Sequence, residues 1–279
     1  MISNDPFQRP DPQVIVDMQQ LTEETRLTVA DKIVLWQPPY KEKSEEDYGK
    51  CYQQRRLLGE GGYGAAWLVI GTAKAGFNYN KTLVAKVNHA ADRGSMALLE
   101  TGILRQIDHR NVVRTVDEYK SERGPISILE LCIYGSLAVQ LKTYVEAKAA
   151  KDAFPEELVV KILADLAAGL MEVHETGIVH LDMKPDNILI DAQMDFKLAD
   201  FGIAMLLDSE GAPSLEKIRG TQGWRAPETR EGKKEFWGTK DGALLSTAAD
   251  VWGLGCVMYT VCTILQRKNK TAPYASAQF

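Results

Sequence analysis

The chain of 279 residues can form one large domain or two lobes, and its 45% apolar and 25% charged content is that of an ordinary globular protein. A net charge of −5 argues against a nucleic-acid surface, and the opening MISNDPFQRP lacks the basic region and apolar core of a secretory signal. The longest apolar run, Val251 to Leu265, is short for a membrane span and carries two glycines, so a buried helix is expected there. The four cysteines (Cys51, Cys132, Cys256, Cys262) show no C-x-x-C pair and no zinc-type histidine spacing, and read as reduced thiols. Together these features lead us to expect a soluble cytoplasmic protein with no membrane or nucleic-acid partner.

Residues 1–51 read as an N-terminal extension punctuated by Pro6, Pro10, Pro12, Pro38 and Pro39. It is expected to be partly disordered, with Thr28 to Trp36 able to add a strand to the body. From Tyr52 the texture changes. Gly59-Glu60-Gly61-Gly62-Tyr63-Gly64 fits G-x-G-x-x-G, a turn in which backbone N–H groups can approach phosphates because no Cβ intervenes. An apolar strand, Ala66 to Ile70, follows the glycines where a dinucleotide-binding unit would open a helix. Lys81 to Val87 reads as another strand, with Lys86 near its end. A helix is expected from about Met96 to Ile107, and Ile126 to Leu131 reads as a further strand. Pro155-Glu156-Glu157 opens a helix whose apolar residues Leu158, Ile162, Leu166, Leu170 and Val173 recur at helical spacing up to a stop at Gly177. His174, on this helix, reads as a packing residue.

The stretch His180 to Asn187, HLDMKPDN, is a short polar loop between apolar runs. It offers a carboxylate (Asp182), an ammonium (Lys184), a rigid proline (Pro185) and an amide (Asn187). A carboxylate can orient a hydroxyl and accept its proton, an ammonium can offset phosphate charge, and an amide oxygen can ligate a hard cation. A second carboxylate follows in Asp200-Phe201-Gly202.

In order and spacing these motifs resemble the eukaryotic-type protein kinases, whose catalytic loop reads H-R-D-x-K-P-x-N and whose metal loop reads D-F-G. The resemblance runs from Tyr52 to about Leu265. It implies an α+β, two-lobed fold: a small antiparallel β N-lobe with one helix (52–132), a mainly helical C-lobe (133–279), and ATP with Mg²⁺ in the cleft. The segment ETGILRQIDHRN, residues 100–111, resembles the family's E-x-x-x-L-x-x-L-x-H-x-N, so Lys86 and Glu100 are carried over as the ion pair that holds Lys86 against the α and β phosphates. Gly59, Glu60, Gly61, Gly62, Tyr63 and Gly64 would cover the phosphates. Val84, Leu189, and the backbone of Glu130 and Cys132 beyond a Leu129 gatekeeper would hold adenine. Asp182 would orient the substrate hydroxyl, Lys184 would steady the γ-phosphate, and Asn187 with Asp200 would hold the metal. His180 is implied to be structural, and Asp250 to hold the catalytic-loop backbone. Gly220-Thr221 and Lys184 point to the Ser/Thr branch, with Ala226-Pro227-Glu228 closing the activation segment.

The departures are informative. Leu181 replaces the arginine of H-R-D, so an activation-loop phosphate loses its usual cation, with Arg219 or Lys197 as substitutes. Ala66 and Val84 exchange the small and branched side chains the family usually places there. An insert, KKEFWGTKDG at 233–242, reads as a surface loop. The chain stops soon after the Asp250 helix, without counterparts of the family's final helices. Glu228 is therefore expected to be exposed or served by a basic tail residue, and a protein partner to cover the underside of the C-lobe. The reading is phosphorylation of Ser/Thr hydroxyls on protein substrates. The alternative is a catalytically weak or inactive nucleotide-binding or scaffolding module, and a small-molecule kinase is a third.

Overall fold

β-branched and aromatic residues between Tyr52 and Leu129 supply one antiparallel sheet. In the computed structural model the described residues are 43–61, 64–88, 100, 102–122, 124–146, 156–207, 220–229 and 246–269. The stretch Thr28 to Trp36, Gly62, Tyr63, Arg219, the 233–242 insert and the side chain of Glu228 lie outside them. Strands β1 (Tyr52–Gly61), β2 (Gly64–Gly71), β3 (Thr82–Asn88), β4 (Thr115–Ser121) and β5 (Gly124–Leu129) lie in the order β1-β2-β3-β5-β4. β1 and β2 form a hairpin whose last pair is Gly61 opposite Gly64, so the glycine-rich motif spans its tip.

Strand alternation gives this sheet two different faces. Val69, Leu83, Ala85, Tyr119, Ile126 and Ile128 pack on the outer face. Ala66 pairs with Lys86, Lys86 with Ser127, and Val84 with Leu129, which places these residues on the opposite face. Ala66 and Val84 therefore share a face and are diagonal neighbours, as a compensated size exchange requires.

The outer face is closed by helix α1 (Glu45–Cys51), which precedes the first strand. A capping box starts it: the Ser44 hydroxyl accepts from the Asp47 N–H, and the Ser44 N–H donates back to the Asp47 carboxylate. Tyr48, 7% exposed, stacks on Tyr52 at 6.1 Å and meets Tyr119 edge-on at 5.7 Å. Beneath them Asp117 is buried, and its charge is balanced by Lys43 at 2.6 Å. The Tyr52 and Tyr119 hydroxyls donate to Asp117 Oδ2 at 3.1 and 2.8 Å. Residues 43–51, part of the stretch read as an extension, are thus packed against the sheet, with Tyr48 in its core.

The second half of the chain is mainly helical. Helices α2 (Leu137–Glu146), α3 (Glu156–Glu175) and α4 (Ala248–Asn269) surround small two-stranded sheets. β6 (Ile178–Val179) pairs with β9 (Met205–Leu206), and β7 (Ile188–Ile190) pairs with β8 (Phe196–Leu198). Ile162, Leu166, Leu170 and Val173 of α3 are buried at the expected spacing, and Gly177 ends the helix at φ +75°. α4 corrects the expectation of a buried helix. Leu254, Val257 and Val261 are buried, whereas Val251, Trp252 and Tyr259 are exposed, because the helix is apolar all round and the described residues bury mainly one side of it. No described helix is long and apolar enough to cross a membrane.

Truncating Tyr48 tests whether α1 belongs to the domain. Tyr48→Ala removes a buried aromatic ring and should destabilise by about 3 kcal/mol, while Glu46→Ala on the exposed side should change stability by at most about 0.5 kcal/mol. Denaturant melts of both variants check this; equal midpoints would show that the helix adds nothing to the core.

Candidate active site

The catalytic-loop sequence lies between β6 and β7, where apolar strands hold its ends. Its shape is set from below by Asp250 at the start of α4, which is 0% exposed. Asp250 Oδ1 accepts the Leu181 N–H at 2.8 Å, and Oδ2 accepts the His180 N–H at 2.8 Å. Oδ2 also meets His174 Nε2 at 2.9 Å, so His174 is a partner of this carboxylate and not merely a packing residue. Two consecutive amides reach one carboxylate only through a sharp turn, and Leu181 accordingly adopts φ +67°. Gly253, one turn into α4, lets Met183 approach: a Cβ there would sit 2.6 Å from Met183 Cβ.

His180 joins the loop to the second carboxylate. Its Nδ1 accepts the Asp182 N–H at 3.2 Å, which leaves Nε2–H to donate to the Ala199 carbonyl at 3.0 Å. Its ring packs 4.6 Å from that of Phe201.

Asp182 sits at the centre of a tight polar set. Lys184 Nζ donates to Asp182 Oδ2 at 2.6 Å, and Asn187 Nδ2 donates to the same oxygen at 2.9 Å. Thr221 donates to Oδ1 from its hydroxyl at 2.7 Å and from its N–H at 3.0 Å, and Lys184 Nζ lies 2.7 Å from the Thr221 hydroxyl oxygen. Burial works to raise the Asp182 pKa. The hydrogen bonds from Lys184, Thr221 and Asn187 outweigh it and hold the carboxyl below its ordinary range.

Across the cleft, Lys86 Nζ donates to Glu100 Oε1 and Oε2 at 2.6 and 2.8 Å, and to Asp200 Oδ1 at 2.9 Å. Glu100 is helical, as are residues 102–106, and its carboxylate reaches β3 from that segment. Burial alone would favour a neutral Lys86 amine, but Glu100 and then Asp200 override it and keep the ammonium charged. Burial likewise opposes charge on Asp200, and Lys86 reverses the effect, lowering its pKa. Asp200 is a non-glycine residue at φ +63°, which directs it away from the strand path.

The donor set fits a hard cation shared with phosphates. The Asn187 amide nitrogen is used on Asp182, reserving its oxygen for a cation, and Asp200 supplies a carboxylate. Among the described residues no cluster of three or more His, Cys, Asp or Glu could hold a metal by itself. One or two protein oxygens completed by phosphates and water is how Mg²⁺ is usually held. The residues expected around adenine also converge: Leu129 and Leu189 pack on Cys132, Val113 and Ala199. Of the suggested substitutes for the missing arginine, Lys197 is bonded to Glu130 at 3.0 Å and is not available to the activation segment. Leu181 itself, like Met205 and Leu207, packs against the buried pair Ala226 and Ala249.

A two-lobed α+β body with this cleft has a kinase-type architecture. Residues 52–276 match the protein kinase domain family, and the chain belongs to that family. It is 34% identical over 230 residues to cytokinesis protein sepH of Aspergillus terreus, covering 82% of this chain and 15% of that protein. It is 36% identical over 172 residues to the serine/threonine-protein kinase RUNKEL of Arabidopsis thaliana, covering 61% of this chain and 11% of that one. MAP3K epsilon protein kinase 2 of the same plant is 30% identical over 221 residues, 79% of this chain and 14% of its own. The chain spans 11 to 15% of the length of these relatives.

Because the folded Asp182 carboxyl titrates lower than its ordinary 3.8, stability from its bonds is present above that pH and lost as pH falls through the lower folded value. A pH–rate profile, with folding monitored in parallel, should show no acid limb from Asp182 above 3.8. An acid limb well above that value in a folded sample would contradict the assignment. Leu181→Arg, which restores the family residue, should lower stability by about 1–3 kcal/mol, since the guanidinium enters an apolar cluster. Melting the variant checks this; unchanged stability would show that the position tolerates a cation.

Proposed function

We propose that this kinase domain transfers the γ-phosphoryl group of Mg·ATP to serine or threonine hydroxyls of protein substrates. The observation that supports it most directly is the Asp182–Lys184–Thr221 set facing the Lys86–Glu100–Asp200 set within one body. Asp182, kept ionised by its neighbours, orients the substrate hydroxyl and accepts its proton. Lys184, already bonded to Asp182, offsets charge on the transferred group. Lys86 steadies the nucleotide phosphates while Glu100 keeps its ammonium in place. The glycine hairpin Gly59 to Gly64 covers the phosphates, and Val84, Leu189 and the Glu130–Cys132 backbone receive adenine. Asn187 and Asp200 would hold Mg²⁺, which, when bound, neutralises charge on the phosphates. Exposed apolar side chains on α3 and α4, among them Met171, Val251 and Trp252, support a protein partner on that side of the C-lobe. A cytoplasmic location is part of the same reading.

Leu181 further implies activity independent of an activation-loop phosphate, because its apolar surroundings offer no charge-assisted bond to one.

Asp182→Asn decides the catalytic assignment. Transfer to a generic protein substrate should fall by at least about 10³-fold, while ATP still shifts the melting temperature, because Asp182 serves the hydroxyl and not the nucleotide. Turnover within a few-fold of the unaltered chain would refute the role. ATP binding without turnover in the unaltered chain would instead assign it as a nucleotide-binding module.

A further inference from the structure

Lys197 has no part in the chemistry above, yet it is only 6% exposed. It stands on β8 directly opposite Leu189 of β7, three residues before Asp200. Its ammonium donates to Glu130 Oε1 at 3.0 Å and lies 3.5 Å from Asp191 Oδ2. Glu130 Oε1 also accepts the Arg114 N–H at 2.8 Å, and the Glu130 N–H donates to the Arg114 carbonyl at 3.0 Å. The segment leading to Arg114 is in turn bonded to β8: the Val113 N–H reaches the Leu198 carbonyl at 2.9 Å, and the Leu198 N–H reaches Asn111 at 2.8 Å. Asp191 is fixed from its other oxygen by the N–H groups of Gln193 and Asp195 at 2.9 and 3.0 Å. The residue just after β5, the end of β7 and the strand that leads to Asp200 therefore close a ring around one ammonium.

Beside this ring packs the apolar cluster of Val113, Cys132 and Ala199, with Leu129 and Leu189 against it. Burial, and then the Glu130 carboxylate, pushes the Cys132 thiol up to about 12, so it stays neutral there. Burying an ammonium and two carboxylates next to such a cluster is a poor route to stability, because desolvation offsets most of the attraction. A buried ion pair instead imposes direction: an apolar side chain could fill this space but could not hold the Glu130 carboxylate against the Arg114 main chain.

We propose that Lys197 is a positioning residue for the nucleotide: through Glu130 and Asp191 it holds the Glu130–Cys132 backbone in register with Leu189. The proposal rests on the ATP reading given above. It differs from a purely structural role in what it predicts for nucleotide affinity.

The test uses the full chain, with Mg·ATP as probe, calorimetric titration for affinity, and steady-state kinetics. Lys197→Met should raise Kd and KM for ATP about tenfold, the scale expected when a binding edge shifts by a fraction of an ångström, with a much smaller change in kcat. Lys197→Arg, which keeps the charge, should recover most of the affinity. Lys50→Met, which breaks an exposed ion pair to Glu46 on α1, should leave it unchanged. Glu130→Gln keeps the shape without the charge and should reproduce the rise. Adding Lys197→Met to Glu130→Gln should change affinity little further. This second pair also serves if Lys197→Met alone, with two carboxylates unpaired, fails to fold. Unchanged ATP affinity in folded variants, strict additivity of the two substitutions, or a raised kcat would each overturn the proposal. Absence of ATP binding by the unaltered chain would overturn the proposed function and this inference together.

Discussion

A carboxylate shut away from water must fill its acceptor sites from the protein, and Asp250 does so with groups that belong to the catalytic loop and to α3. It takes the amides of His180 and Leu181 and the imidazole of His174. Losing one of these donors would leave an acceptor site of a buried carboxylate unfilled, which opposes relaxation to a more ordinary backbone at Leu181. Once Leu181 is turned, the direction of His180 is settled, and with it two further contacts. One is the Asp182 amide on His180 Nδ1; the other is His180 Nε2 on the Ala199 carbonyl, one residue before Asp200. Asp182 and Asp200 are therefore referred to a single buried anchor, and their separation is a property of the fold and not of either loop alone.

Charge within the cleft is arranged so that each carboxylate is paired with a cation. Lys184 serves Asp182, while Lys86 is shared by Glu100 and Asp200. Both lysines are partly exposed, so each remains able to exchange part of its protein contact for a phosphate. Below the cleft the start of the activation segment is held differently. β9 pairs with β6, and the adjoining apolar cluster of Leu181, Met205, Leu207, Ala226 and Ala249 replaces the charged contact that an arginine in the loop would make. Apolar packing has no dependence on a phosphate, and the polar bridge from Thr221 to Asp182 completes the attachment.

What could be read from the chain was what lies close together in it. The period of Ile162, Leu166, Leu170 and Val173 shows α3, Gly177 shows its end, and the glycine motif followed by a strand shows the hairpin. Asp182, Lys184 and Asn187 could be grouped because one short loop carries them. The remaining partners lie far off in sequence: Thr221 is 39 residues from Asp182, and His174 is 76 from Asp250. A histidine on a helix carries no sign of such a partner, and its helical spacing suggested only packing. Lys197 reads from the sequence only as a substitute cation for an activation-loop phosphate, because burial depends on what folds over a strand. α4 differs in the other direction: an apolar run signals burial, but not which side of the helix the described residues will cover.

The same limit applies ahead of the first strand, where charge and proline content suggested a loose extension. Four features convert residues 43–51 into a cover for the sheet: the capping box, the Tyr48 ring, the Thr72 hydroxyl on the Lys50 carbonyl, and Lys43 on Asp117. β4 explains why this cover bears on the cleft. Asp117 and Glu118 are consecutive, so strand alternation sends their side chains to opposite faces. Asp117 holds Lys43 on the outer side, and Glu118 holds Arg105 from the helical segment that continues from Glu100. The Glu118 amide donates to Asp117 Oδ1 at 2.9 Å, which links the two carboxylates through the main chain. One strand thus braces the cover on one face and, on the other, the segment that carries the partner of Lys86. The segment before the first strand and the ion pair in the cleft are supported by the same two residues.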